Sequence, residues 1–498
     1  MDNIILIGMP GVGKSTLGVL LAKTLGMTFL DTDLVIQEQA GALLRDLIAA
    51  RGIEGFLDLE GEVCAHLQAH RTVVATGGSV VYRSQAMAHL RELGTVVYLK
   101  LGYRAQKFRL MAAPGKHTTK AAQMAAVQTT ASMIAPLAHP ERAAMASLFL
   151  PCEPLQAAGL HPYSCEGFGC FLAGTQAEQA FLQYAESEGL PDTFCSYHRV
   201  FIGAAELGLM PRPRFILNTT LACDANLLTF RRLAEHFGVP QFVVDVPYEP
   251  SQEAVDYVAG QLREMVKFIE GQTGQAISED VLSAAVARSQ RSMDNFDRYM
   301  TLRADRTIPG ELTGEMFSAF TLHTLLGTPE TEAYTKQCLK EAESAPPASG
   351  VRLLWMHTTP FWVAPLRAVT DFNPAVQVVA CDMCFEGLVK ADPAKPYDAM
   401  ARRVVYSAFN GPVSRRIQRG LEAARQVRAD GVVWFCHWGC KHTLGGAQLA
   451  KETFEANGLP CLVLDGDGCD RSHGGEGQLA TRMDAFVEML RAEKGGGA

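Results

Sequence analysis

The run GMPGVGKST, residues 8–16, follows the apolar stretch Asn3–Ile7 and opens the helix-patterned stretch Lys14–Leu25. No other feature of the chain constrains its fold so tightly. The spacing G-x4-G-K-S/T needs a buried strand that delivers a glycine loop to a helix N-terminus, where backbone N–H groups curl around phosphate oxygens. In that reading Gly8, Gly11 and Gly13 permit the curl, and Lys14 reaches the β- and γ-phosphates. Ser15 and Thr16 complete the cradle, with the Ser15 hydroxyl on the Mg²⁺ side. Strand-type runs at Thr72–Ala75 and Thr95–Lys100 continue the alternation, which implies a parallel sheet covered by helices.

A chain of 498 residues exceeds one ordinary core, so two to four domains are expected. Residues 1–112 read as the phosphate-loop domain, and 113–145, where the strand pattern is lost, as a helical linker. A second α/β series spans 146–270, with strands expected at Leu148–Leu150, Phe215–Asn218 and Phe242–Val246. Residues 271–345 read as a helical segment. A third series spans 346–498, with strands at Val351–Met356, Val376–Ala380, Gly431–Phe435 and Cys461–Leu464. The predicted fold class is therefore α/β: a P-loop kinase-like parallel sheet, then two Rossmann-like α/β lobes with a helical insert.

A net charge of −8 argues against a general nucleic-acid or anionic-membrane binder. The longest uncharged run, Ala121–Pro140, is too polar and proline-broken for a membrane span. No secretory signal is visible, so a cytoplasmic location with reduced cysteines is expected. Twelve of the thirteen cysteines follow residue 150. Two of them stand in VVWFCHWGCKH (432–442), an apolar run that ends in soft-metal ligands. Cys436 and Cys440 with His437 and His442 allow a zinc site, for which CDMC (381–384) offers a second pair. Cys436 also fits a core strand position. DGDGCD (465–470) has a calcium-loop look but lacks the closing glutamate, so it reads as a turn lining a crevice.

The first 110 residues resemble shikimate kinase, through the glycine loop, DTD (31–33), FLDLEGEV (56–63) and ATGGS (75–79). The resemblance implies ATP or ADP with Mg²⁺, puts Asp31 and Asp33 on the Mg²⁺ and substrate sides, and gives Gly77 and Gly78 the substrate loop. Leu57 stands where that family grips its substrate carboxylate with an arginine, and Ser79 replaces a third glycine. An aliphatic side chain cannot replace a bidentate guanidinium. The arginine-bearing lid and last helix expected after about residue 110 do not appear. Nucleotide binding is expected and shikimate phosphorylation is not.

From about residue 146 the chain resembles the 2-hydroxyacyl-CoA dehydratases, whose relatives include benzoyl-CoA reductase subunits. Four segments carry the likeness: 192–209, 219–230, 434–446 and 462–482. By that resemblance Cys195, Cys223 and Cys440 hold a [4Fe–4S] cluster, with Cys436 as the alternative third ligand. Thiolates are the soft ligands such clusters need, and three of them leave one iron open. The resemblance also implies an acyl-CoA substrate dehydrated through a ketyl radical. It further implies a separate ATP-dependent iron–sulfur activator and a related subunit or second copy. No catalytic side chain is assigned. Cys152, Cys165 and Cys170 read as structural, and His198 and Arg199 either orient the cluster, meet a CoA phosphate, or form a solvated or merely supporting pair. Two other readings stay open: a small-molecule kinase with a regulatory C-terminal region, and a nucleotide- and cluster-binding redox protein without turnover.

Overall fold

The computed structural model describes residues 3–8, 14–99, 119–174, 177–308, 310–473 and 475–495. The chain divides into two compact units, Met1–Gly115 and Lys116–Ala498.

The first unit is a four-stranded parallel sheet of β1 (Ile4–Ile7), β2 (Thr28–Asp31), β3 (Thr72–Ala75) and β4 (Thr95–Tyr98), in the order β2-β3-β1-β4. The central strands β1 and β3 are apolar almost throughout because helices cover both faces. The Asn3 side chain ties the sheet end together: its amide donates to the Ala69 and Leu93 carbonyls, and its oxygen accepts from the Thr72 N–H.

The second unit carries two lobes of one design. The first pairs β5 (Ala143–Ala146), β6 (His161–Ser164), β7 (Ile216–Thr219) and β8 (Gln241–Val244) in the order β6-β5-β7-β8. The second pairs β9 (Val351–Met356), β10 (Val376–Cys381), β11 (Gly431–His437) and β12 (Cys461–Gly466) in the order β10-β9-β11-β12. Every pairing is parallel. In both lobes the strand order therefore reverses between the first and third strands, where open α/β sheets leave a crevice at their carboxyl ends.

Four helices, Gln252–Thr273, Glu279–Arg303, Leu312–His323 and Pro329–Ser344, fill the space between β8 and β9. Ser251, Ser278 and Thr328 cap three of them by accepting a backbone N–H in the first turn. The helix Lys120–Ala138 packs Ala121 and Ala125 against Tyr334 and Cys338 of this insert.

One strand expectation fails. Leu148–Leu150 is a turn, and the strand is the preceding AAMA, which has no β-branched residue to announce it. Among the described residues no helix is long and apolar enough to cross a membrane. All thirteen cysteines are free.

Candidate active site between two lobes

The third strand of each lobe runs into a cysteine by the same device. After β7, Ala222 takes a left-handed φ of 74°, and Cys223 then caps the helix Asp224–Phe237. After β11, Gly439 takes a φ of 78°, and Cys440 caps the short helix Lys441–Leu444. Cys195 in turn caps the helix Ser196–Glu206. Glycine is required at 439 on two counts. Its φ disfavours side chains, and a Cβ there would lie 2.8 Å from the Cys195 nitrogen. That close approach brings the turn of one lobe against the helix start of the other.

All three thiols line one cavity of about 120 Å³, otherwise walled largely by apolar groups such as Phe149, Met316, Phe320 and Phe409. Cys436 does not line it. It sits in β11 with its thiol towards the Thr443 carbonyl, 3.9 Å away. Cys381 and Cys384 are buried against the His357 and Glu315 carbonyls.

The thiols feel one another. Burial pushes the Cys195 thiol well up, and the nearby Cys440 and Cys223 push it further. Cys223 is raised to about 11 by burial and then by Cys440, while the N–H groups of Ala225 and Asn226 pull it back. Burial thus disfavours the thiolates of Cys195 and Cys223, and a bound cation would offset that cost. Three soft donors at helix starts fit an iron–sulfur cluster, in which each thiolate meets a different iron. Among the described residues no three His, Cys, Asp or Glu side chains converge on a single metal ion.

His437 backs Cys195. The Gly468 N–H donates to its Nδ1 at 3.0 Å, which leaves the proton on Nε2, 3.3 Å from the Cys195 sulfur. The DGDGCD turn stands behind this histidine and does not line the cavity. Its Asp467 accepts from the Ser196 hydroxyl and from the Cys469 and Asp470 N–H groups. His198 reaches the cavity wall, whereas Arg199 is fully buried in ion pairs with Glu186 and Asp470.

In the first unit, the Lys14 ammonium donates to the Gly8 carbonyl at 2.6 Å. Burial lowers its pKa, against the pull of Asp33, Glu60 and Asp31. Asp31 caps the helix Thr32–Ala40 by accepting the Asp33 N–H, and the Gly77 N–H donates to the Thr32 hydroxyl. Gly78 follows in a bend. Gly11, Gly13 and the Thr16 side chain lie outside the described residues; the Ser15 side chain is exposed. Lys14→Ala is expected to abolish ADP binding by calorimetry while leaving the iron content of the chain unchanged, because loop and thiols belong to different sheets. Equal ADP affinity in the variant would remove the loop assignment.

The profile of the family described as 2-hydroxyglutaryl-CoA dehydratase, D-component, matches residues 147–490. This chain belongs to that family. The D-component match thus covers both lobes from the end of β5 onward, the helical insert, and Cys195, Cys223 and Cys440, together with Cys170, which also lines the cavity rather than serving only the core. The shikimate kinase profile matches residues 10–134 of the same chain. A shikimate kinase from Synechococcus sp. (strain RCC307) is 45% identical over 114 residues, covering 23% of this chain and 58% of that protein. Shikimate kinase 2 of Dickeya chrysanthemi is 40% identical over 116 residues, covering 23% and 67%. A solved shikimate kinase from Acinetobacter baumannii, in complex with shikimate, shares 34% identity with a TM-score of 0.22, over 22% of this chain and 63% of that one. The chain therefore spans between half and two thirds of the first of these relatives. The kinase match runs on to residue 134, past the point near 110 where the likeness was read as ending. Residues 100–118, where the missing-lid reading falls, lie outside the described residues.

The D-component site holds polar residues that sequence reasoning missed. Arg416, 2% exposed, donates to Asp382 at 2.8 Å and to the Nδ1 atoms of His442 and His357 at 3.1 and 3.4 Å. Burial and this guanidinium hold both histidines neutral, His442 at about 4 and His357 well below its ordinary range. His357 itself has a φ of 94°, a strained conformation held by its N–H bond to Asp382. The Glu166 carboxyl accepts from the Ser164 hydroxyl and the Leu148 N–H, and burial raises its pKa. Arg416 lies in an amphipathic helix rich in charge and reads there as solvated. Glu166 follows a strand of only four residues that carries no sequence signal.

Proposed function

We propose that residues 116–498 act as the iron–sulfur subunit of a 2-hydroxyacyl-CoA dehydratase, with a [4Fe–4S] cluster on Cys195, Cys223 and Cys440. The supporting observation is the convergence of these three thiols, from both lobes, on one apolar-walled cavity. When bound, the cluster supplies one electron to the acyl thioester, which makes an otherwise inert β-hydrogen acidic. The chain's own residues prepare the site. His437 directs an N–H at the Cys195 sulfur and so disperses its negative charge. Arg416 is the positive end of a buried pair, and its two histidine neighbours accept two of its other N–H groups. Glu166, whose carboxyl burial shifts upward, lines the same cavity and is the candidate donor of a proton to a departing hydroxyl. Apolar walls exclude water, which strengthens each of these interactions.

The electron comes from a separate ATP-dependent iron–sulfur activator, and a related subunit or second copy shares the site, in the cytoplasm where thiols stay reduced. The first unit binds ATP or ADP with Mg²⁺ at Gly8–Thr16. Anaerobic purification should yield iron and acid-labile sulfide in equal amounts, together with activator-dependent dehydration of a 2-hydroxyacyl-CoA. Zinc in place of iron under those conditions would defeat this reading.

A further inference from the structure

The first unit holds a carboxylate that the phosphate-loop reading leaves unused. Glu60 is 1% exposed; its Oε2 accepts the Ser79 hydroxyl at 2.6 Å, but its Oε1 has no hydrogen-bond partner. A Cβ on Gly77 would fall 1.7 Å from that Oε1 and 3.1 Å from the Asp33 Oδ1. Both carboxylates therefore converge on the bare Cα of Gly77. A buried, ionisable oxygen without a donor is costly unless something fills the role.

The surrounding charges decide what can fill it. Among the described residues, Asp33, Glu60 and Asp31 all act on the ammonium of Lys14. The nearby Arg83 is turned outward, held by Glu54 and Asp58 at 3.0 and 2.9 Å. Leu57, one turn before Glu60 on the helix Leu44–Ala65, adds only an aliphatic side chain. A hydroxy acid would bring a further negative charge to this cluster, and among the described residues no guanidinium faces it. An ammonium would bring the donors that Oε1 lacks, and both carboxylates would attract it.

We propose that this pocket binds a small amine-bearing alcohol as its second ligand, with Glu60 and Asp33 gripping the ammonium. The proposal rests on the phosphate loop as the nucleotide site, and its test separates the two. Calorimetry on the full chain with ADP and Mg²⁺ would compare serinol, glycerol and glycerate, which share a three-carbon skeleton and differ in charge. Serinol should bind tightest and glycerate weakest. Glu60→Gln should weaken serinol by about tenfold or more, the loss of one charged hydrogen bond, while keeping ADP affinity. Leu57→Arg, which places a guanidinium beside Glu60, should reverse the order in favour of glycerate.

Glycerate bound as tightly as serinol by the unaltered chain would overturn the proposal. So would serinol affinity unchanged in Glu60→Gln, or no detectable binding of serinol. Failure of ADP to bind, with serinol still bound in a Glu60-dependent way, would remove the phosphate-loop reading and support the amine subsite.

Discussion

Cys440→Ser is expected to strip the iron from the protein, along with its visible absorption and the paramagnetic signal of the reduced form, whereas Cys436→Ser keeps them. The two residues are four positions apart and differ in one structural event. Cys436 lies inside β11 and follows the alternation of that strand, its thiol in the packing behind the cavity. Beyond His437 the left-handed Gly439 ends the strand and swings Cys440 round to the wall shared with Cys195 and Cys223. A serine hydroxyl is too hard and too weakly acidic to replace a thiolate on iron. Cys195→Ser and Cys223→Ser should behave like Cys440→Ser, and all three should lose turnover entirely. Iron and sulfide analysis of the four anaerobically purified variants checks the set. Full iron and an unaltered signal in Cys440→Ser would show that another side chain holds the cluster.

The second large effect concerns stability. Glu153→Ala should cost about 3–5 kcal/mol, the range for breaking a buried ion pair by removing one partner. Glu153 is fully buried and accepts one N–H from each terminal nitrogen of Arg403, at 2.7 and 2.8 Å, plus the Ser289 hydroxyl at 2.6 Å. Glu153 belongs to the first lobe, Arg403 to the second and Ser289 to the helical insert, so one carboxylate joins all three parts. Burial opposes its ionisation, but Arg403 outweighs that and holds the pKa below the ordinary value of 4.5. A group depressed in this way adds stability above its unfolded pKa and loses it as pH falls through the folded value. Urea unfolding should therefore show a stability loss below about pH 4.5 that is smaller in Glu153→Ala. The double variant Glu153→Leu, Arg403→Met should recover most of the loss, since apolar partners of similar volume replace buried pairs at little cost. A loss under about 1 kcal/mol for Glu153→Ala, the level of an exposed pair, would show that water reaches this site.

Much of the architecture was legible where a single physical pattern dominated. The glycine loop fixes a strand, a turn and a helix at once, and the observed helix Lys14–Leu25 has the expected bounds. Long runs of β-branched and aromatic residues located β9 to β12 to within two residues at their ends. Three short strands escaped notice: TFLD and HPYS carry too few signals, and AAMA lost to the more strand-like LFL that follows it, whereas the equally short TVVA has the expected bounds. Motif resemblance brought out Cys195, Cys223 and Cys440. Arg416, Glu166 and the idle oxygen of Glu60 stayed hidden because their significance lies in partners supplied by other elements, up to 59 positions away in the case of Arg416 and His357. No periodicity along the chain records that.

The duplicated strand order has a mechanical consequence. Cys223 and Cys440 occupy equivalent corners of two separate lobes, so anything that binds both spans the seam between them. Its binding free energy then adds to the closure of the two lobes, as for any ligand that engages only the folded arrangement. With the proposed cluster in place, the chain would work like a clasp whose pin is also its working part. Without the pin, the seam is carried by protein contacts such as the Glu153–Arg403 pair, and the jaws are freer to part. Loss of the pin to oxygen would therefore loosen the clasp itself, exposing the corners through which a new pin is fitted.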